Sequence, residues 1–147
     1  MRRLGAMATI TLLLGCAIAA LHTDADAAQR RVSLGEVSTR VQRADVDLPL
    51  VLRSSAQREL ESLDLGRVHG KEHVVVSLSL LRMESDPGAA TCVVSGVLRN
   101  ARTGNVFAVV EGKAQAAKPQ ANAEENALRG AVRGAMLRVP EALNRAL

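Results

Sequence analysis

The sequence predicts an α+β domain in the order β-α-β-β-β-α, an antiparallel sheet of three to four strands with two main helices packed on one face. Three observations predict it. The hydrophobic period changes from helical to alternating at His73. Two turn signals, Asp86-Pro87-Gly88 and Asn100-Ala101-Arg102-Thr103-Gly104-Asn105, then cut the middle of the chain into strands. A second helical stripe begins after Pro119.

The elements follow in order. Val32-Ser33-Leu34-Gly35-Glu36-Val37 alternates well enough for a first strand inside an otherwise polar stretch, 29–45. Asp47 is placed to cap a helix starting near Leu48 or Pro49, because proline is tolerated in a first turn. Leu52, Ala56, Leu60 and Leu63 continue it at helical spacing, and Gly66 and Gly70 close the segment. From His73, Val74, Val76, Leu78 and Leu80 share one strand face, while Val75, Ser77, Ser79 and Leu81 share the other. One apolar face and one mixed face suit an antiparallel sheet covered on one side. A strand over 91–99 and another over 106–114 form a hairpin, with Gly104 free to take a positive φ. Gly96 and Gly112 inside these strands mark bulges or close helix packing. Lys118-Pro119-Gln120 links to the last helix, where Asn122 and Glu125 have capping-box spacing. Its stripe is Ala127, Leu128, Ala131, Val132, Ala135, Met136 and Val139, and Glu125 and Arg129 are placed to pair. Pro140 kinks or ends the helix, and 141–147 adds a turn or two.

The start of the chain predicts an address. Arg2 and Arg3 precede an apolar run from Leu4 to Gly15, and Ala25-Asp26-Ala27 supplies an A-x-A cleavage pattern. A charged start, a short apolar middle and small residues before a cut characterise a secretory signal peptide. The expected organisation is a signal peptide over 1–27 and one α+β domain over 28–147, with 28–46 a partly flexible lead-in. The expected localisation is periplasmic or secreted. A competing reading uses Leu13-Leu14-Gly15-Cys16, which resembles the lipobox of bacterial lipoproteins and would make Cys16 an acylated membrane anchor. An uncleaved span over 4–21 is a third reading, at the lower limit of length.

Composition narrows the function. Cleavage after Ala27 removes Cys16 and leaves Cys92 without an internal disulfide partner; its valine neighbours place it in a buried strand with an unreactive thiol. Phe107 is the only aromatic residue, so the stacking platforms of single-stranded nucleic-acid binding are missing and no nucleic-acid partner is expected. The formal net charge of +4 is carried by scattered arginines, the mark of a solvated surface.

One motif invites a catalytic reading. His69-Gly70-Lys71-Glu72-His73 matches the inverted zinc-protease pattern H-x-x-E-H. That chemistry needs both histidines on one helical face with the carboxylate beside them. Gly70 and the valines from 74 onward read instead as a turn entering a strand, and a third ligand is not indicated. Ser54 and Ser55 lack a nucleophile-elbow context, and no glycine-rich loop opens a helix after a strand. Asp45 and Asp47 are better explained by capping than by acid–base chemistry. No catalytic residue, cofactor or metal site is therefore assigned. Gly130 and Gly134, with Ala127, Ala131 and Ala135, form a small-residue face on the last helix. It serves either intimate packing on the chain's own sheet or homo-oligomerisation through helix 122–139.

Val93-Val94-Ser95-Gly96-Val97-Leu98, the turn 100–104 and the return over 106–112 resemble the hairpin of a group of small envelope α/β domains. That group includes the TolB amino-terminal domain, curli-secretion lipoproteins and lipoprotein activators of penicillin-binding proteins. The resemblance covers about a quarter of the chain after residue 27, with Asn100 where the group usually has Asp, and carries over no functional residue. It implies a small sheet flanked by helices and an accessory role in envelope complexes. The expected function is thus a non-enzymatic accessory or binding module with an envelope protein partner. The alternatives are a metal-binding protein or metal-dependent hydrolase built on His69, Glu72 and His73, and a lipid-anchored structural lipoprotein, which touches membrane only through an acylated Cys16.

Overall fold

Four strands and three helices make up the computed structural model, which describes residues 31–43 and 46–146. The strands are β1 (Val32–Thr39), β2 (Val74–Ser85), β3 (Ala89–Asn100) and β4 (Val106–Ala117). The helices are α1 (Leu48–Ser62), α2 (Ala123–Met136) and α3 (Val139–Ala146). The leader, the A-x-A site, Cys16 and Asp45 lie outside the described residues.

The sheet order is β1-β2-β3-β4. The two hairpins make β2, β3 and β4 antiparallel, as their turns demand. β1 joins parallel to β2, because α1 carries the chain back over the sheet between them. The sheet is therefore antiparallel across three strands and mixed at its β1 edge. The first turn closes through Asp86, whose carboxylate accepts from the backbone N–H of Gly88 and Ala89 at 2.9 and 2.8 Å. The second turn closes through Asn100, whose Oδ1 accepts from Arg102 and Thr103 at 2.8 and 3.0 Å, with Gly104 at φ 76°.

The core lies between one sheet face and the helices. Val74, Val76, Leu78 and Leu80 meet Val94, Leu98, Val110 and the inner stripes of α1 and α2 there. Every residue of the expected α2 stripe is buried. α1 ends at Ser62, before the glycines expected to close it. Leu63 leaves in extended conformation and stays buried, so the apolar period outlasts the helix.

Several local expectations are corrected. Asn122 makes no side-chain capping bond, because it sits in the left-handed region at φ 64°, where its amide misses the orphan N–H groups. The spacing to Glu125 therefore forms no capping box. Pro140 does not end α2, which stops at Met136; the proline stands in the first turn of α3, where its missing N–H costs nothing. The register shifts fall at Leu34/Val37, Leu80/Arg82 and Leu98/Arg99, not at Gly96 or Gly112. Gly112 is the close-packing glycine: a Cβ there would stand 1.9 Å from the Ala131 carbonyl oxygen.

Candidate functional site

The His69–His73 segment is exposed and neither helical nor strand. Four anchors hold its backbone and its carboxylate, one of them Arg31 Nη1 donating to the Gly70 carbonyl at 2.6 Å. The His69 N–H donates to Asn144 Oδ1 at 3.1 Å, reaching α3. The His73 carbonyl accepts from the Ala101 N–H at 2.8 Å, reaching the β3–β4 turn. Between them the Glu72 carboxylate accepts a hydrogen bond from Nδ2 of the buried Asn100. The loop is stretched between two structural partners, and its one carboxylate supports a turn residue. The helical face required by H-x-x-E-H is not formed. Among the described residues no group of three or more His, Cys, Asp or Glu side chains gathers as a metal site.

Cys92 lies fully buried on the core side of β3. Burial pushes its thiol up to about 11, the Glu124 carboxylate adds to the rise, and Arg43 partly offsets it. Arg43 and Glu124 form an ion pair across the start of α2. A thiol held protonated in this way is a core side chain rather than a nucleophile.

The small-residue face of α2 is turned inward. Ala127, Ala131 and Ala135 are buried, Gly134 lies over Gly112, and a Cβ on Gly130 would stand 2.8 Å from Ala114 Cβ. β4 occupies this face, so the homo-oligomer expected through helix 122–139 has no small-residue surface left to use. Intimate packing on the chain's own sheet is the reading that holds.

Enclosed space is scarce. The cavity between Arg31, Val32, Leu65, Glu72, Val74 and Leu143 measures about 10 Å³, the room of one water. A depression of about 420 Å³ along β4, flanked by Val109, Glu111, Arg138, Glu141 and Arg145, is open to solvent.

What the described residues do present is surface. All three helices lie on one side of the sheet, and none covers the other side. The uncovered face carries Ser33, Ser38, Val75, Ser77, Ser79, Ser95, Val97 and Val109, together with the charged Arg82, Glu84 and Arg99 and, on β4, Glu111 and Lys113. Ser38 and Ser79 share a hydrogen bond across β1 and β2 at 2.8 Å. Val106 and Val109 are 58% and 63% exposed, unusual for valines in a strand. β4 is a terminal strand twelve residues long without a neighbour on its far side among the described residues. The strand itself was legible in the sequence. Its position at the sheet's edge was not, because order within a sheet is set by the crossover through α1.

No protein-family model matches the sequence, and no curated protein does. Solved structures do. The hypothetical protein CT253 of Chlamydia trachomatis is 14% identical with a TM-score of 0.53, the match covering 76% of this chain and 96% of that one. A PelC dodecamer from Paraburkholderia phytofirmans is 14% identical with a TM-score of 0.53, covering 78% and 87%. A minor lipoprotein from Acinetobacter baumannii is 11% identical with a TM-score of 0.41, covering 75% and 90%. The first two share the fold of this chain. At these identities the likeness concerns fold alone.

Proposed function

We propose that the protein is an exported accessory module of the bacterial envelope that works by protein contact rather than through a reaction centre. The observation that carries this reading is the uncovered sheet face with its open β4 edge, a broad uncommitted surface among the described residues. A face of valines and serines bordered by charges of both signs is suited to a flat protein partner, and an open edge to strand addition. Export is supported by the basic start, the apolar run and Ala25-Asp26-Ala27. The fold shared with PelC, which is described as a dodecamer, supports association with further chains. The hairpin's likeness to the TolB amino-terminal domain and to activator lipoproteins points the same way.

The test combines fractionation, intact mass and crosslinking. Cells expressing the full chain should yield it outside the cytoplasm, with a mature mass that begins at Ala28. Crosslinking in envelope extracts should then trap a discrete partner that substitutions at Val97 and Val109 release. Unprocessed chain in the cytosol would overturn the reading. A second reading, the lipid-anchored form, has its own specific feature in Leu13-Leu14-Gly15-Cys16. It predicts a mature chain starting at Cys16 with added acyl mass, and the same spectrum decides between them. The metal reading on His69, Glu72 and His73 is the weaker alternative, since Glu72 is engaged by Asn100.

A further inference from the structure

The free edge of β4 has a self-complementary charge pattern, and we infer that it pairs antiparallel with β4 of a second copy, about a two-fold axis at Gly112. This deepens the reading of β4 as a contact surface and does not depend on export.

In an antiparallel ladder alternate residues exchange both hydrogen bonds with the neighbouring strand. The Lys118 N–H donates to the Gly88 carbonyl at 2.9 Å, and the β3–β4 register continues from that pair through Ala116, Ala114, Gly112 and Val110. The even-numbered residues of β4 thus bond to β3. Val109, Glu111, Lys113 and Gln115 turn their N–H and C=O groups to the free edge. An independent contact agrees: Arg138 Nη1 reaches the Glu111 carbonyl oxygen at 2.8 Å from the edge side.

A two-fold axis at Gly112 sets Glu111 opposite Lys113 of the second copy and Lys113 opposite Glu111 of the second copy. Both are edge-facing residues, so the hydrogen-bonding parity of the new ladder is correct. Their side chains stand on the uncovered face, where opposite charges on facing strands attract. Val109 falls opposite Gln115 by the same register. β4 has no register shift between Ala89/Ala117 and Leu98/Ala108, so this stretch of edge is regular. A shift of one residue would bring solvent-facing and core-facing side chains together, and a shift of two would place like charges opposite each other. An isologous contact of this kind closes on itself as a dimer. Arg138 holds one edge carbonyl, Glu111 O, and must release it for the ladder to form. It acts as a competitor for the edge.

The experiment uses the full chain expressed with its leader and purified as the cell processes it, in sedimentation equilibrium across a wide concentration range. The wild type should dimerise. E111K or K113E alone should weaken association at least tenfold, and E111K/K113E together should restore it. Arg138→Ala should tighten the dimer severalfold by freeing the carbonyl. Circular dichroism of each variant confirms that these exposed substitutions leave the fold intact. In parallel, an equal mixture of V109C and Q115C proteins should form a disulfide-linked dimer that neither variant forms alone, because paired hydrogen-bonded residues stand about 5.5 Å apart at Cα, within disulfide reach. A monomer at every concentration would overturn the inference. So would an assembly indifferent to the single charge reversals, or V109C crosslinking to itself.

Discussion

Gly112 shows how much one missing side chain holds. A Cβ there would meet the Ala131 carbonyl at 1.9 Å and the Ala135 nitrogen at 2.4 Å, both helix backbone that cannot rotate away. Gly112→Ala must push α2 off the sheet and should cost about 3 kcal/mol in urea unfolding. Gly134 lies on the same interface, yet its Cβ would find only ordinary contacts at 3.6 and 3.9 Å. Gly134→Ala should therefore gain up to about 1 kcal/mol from helix propensity, and the opposite signs of the pair test the packing directly. Cys92 gives a pH prediction. Its folded-state thiol titrates near 11 against an ordinary 9.0, so between those values the unfolded chain has lost a proton that the native chain keeps. Stability contributed by the neutral thiol is complete below pH 9 and falls as pH rises toward 11. Cys92→Ala should remove that slope, read as the difference between the two proteins' urea midpoints from pH 8 to 11. Burial of Cys92 was legible from its valine neighbours. The part played by Gly112 was not resolved by sequence, since a strand glycine reads equally as a bulge until the helix above it is placed.

Helix starts divide in the same way. Asp47 and Asn122 look alike in sequence, each a capping residue type before an apolar period. Asp47 Oδ1 does accept from the Leu50 N–H, at 3.1 Å. Asp47→Ala should cost about 1 kcal/mol in thermal or urea unfolding. Asn122 instead holds φ at 64° without a capping bond, so Asn122→Gly should be neutral or mildly stabilising by the same measurement. Propensity named the residue types, but backbone conformation decided which of them caps. α1 holds one further oddity: Ser55 is buried, and its hydroxyl has no partner among the described residues. The alternation in β2 and the turns at Asp86 and Asn100 were readable because each is local chemistry. The ion pair of Arg43 with Glu124 and the bond of Arg138 to Glu111 were not, since each joins elements that only the folded chain brings together.

Across the whole molecule, the helices are gathered on one side and the other side is left to solvent. That asymmetry leaves a broad sheet face open, the surface that the proposed accessory role would use. The His69–His73 loop is braced by Asn144, Ala101 and Asn100. A chelator should accordingly leave the thermal midpoint unchanged, and so should His73→Ala. A fall of several degrees with chelator, absent in His73→Ala, would restore the metal reading.

The order of elements, the two hairpin turns, the buried stripes and the thiol's environment were all readable along the chain. These depend on periods of two and 3.6 residues and on turn chemistry acting within a few positions. Folding was needed to show that β1 runs parallel to β2, that the small face of α2 belongs to β4, and that β4 ends the sheet among the described residues. Each of these depends on which distant segments share a surface. Local periodicity identifies a buried face but carries no record of what buries it.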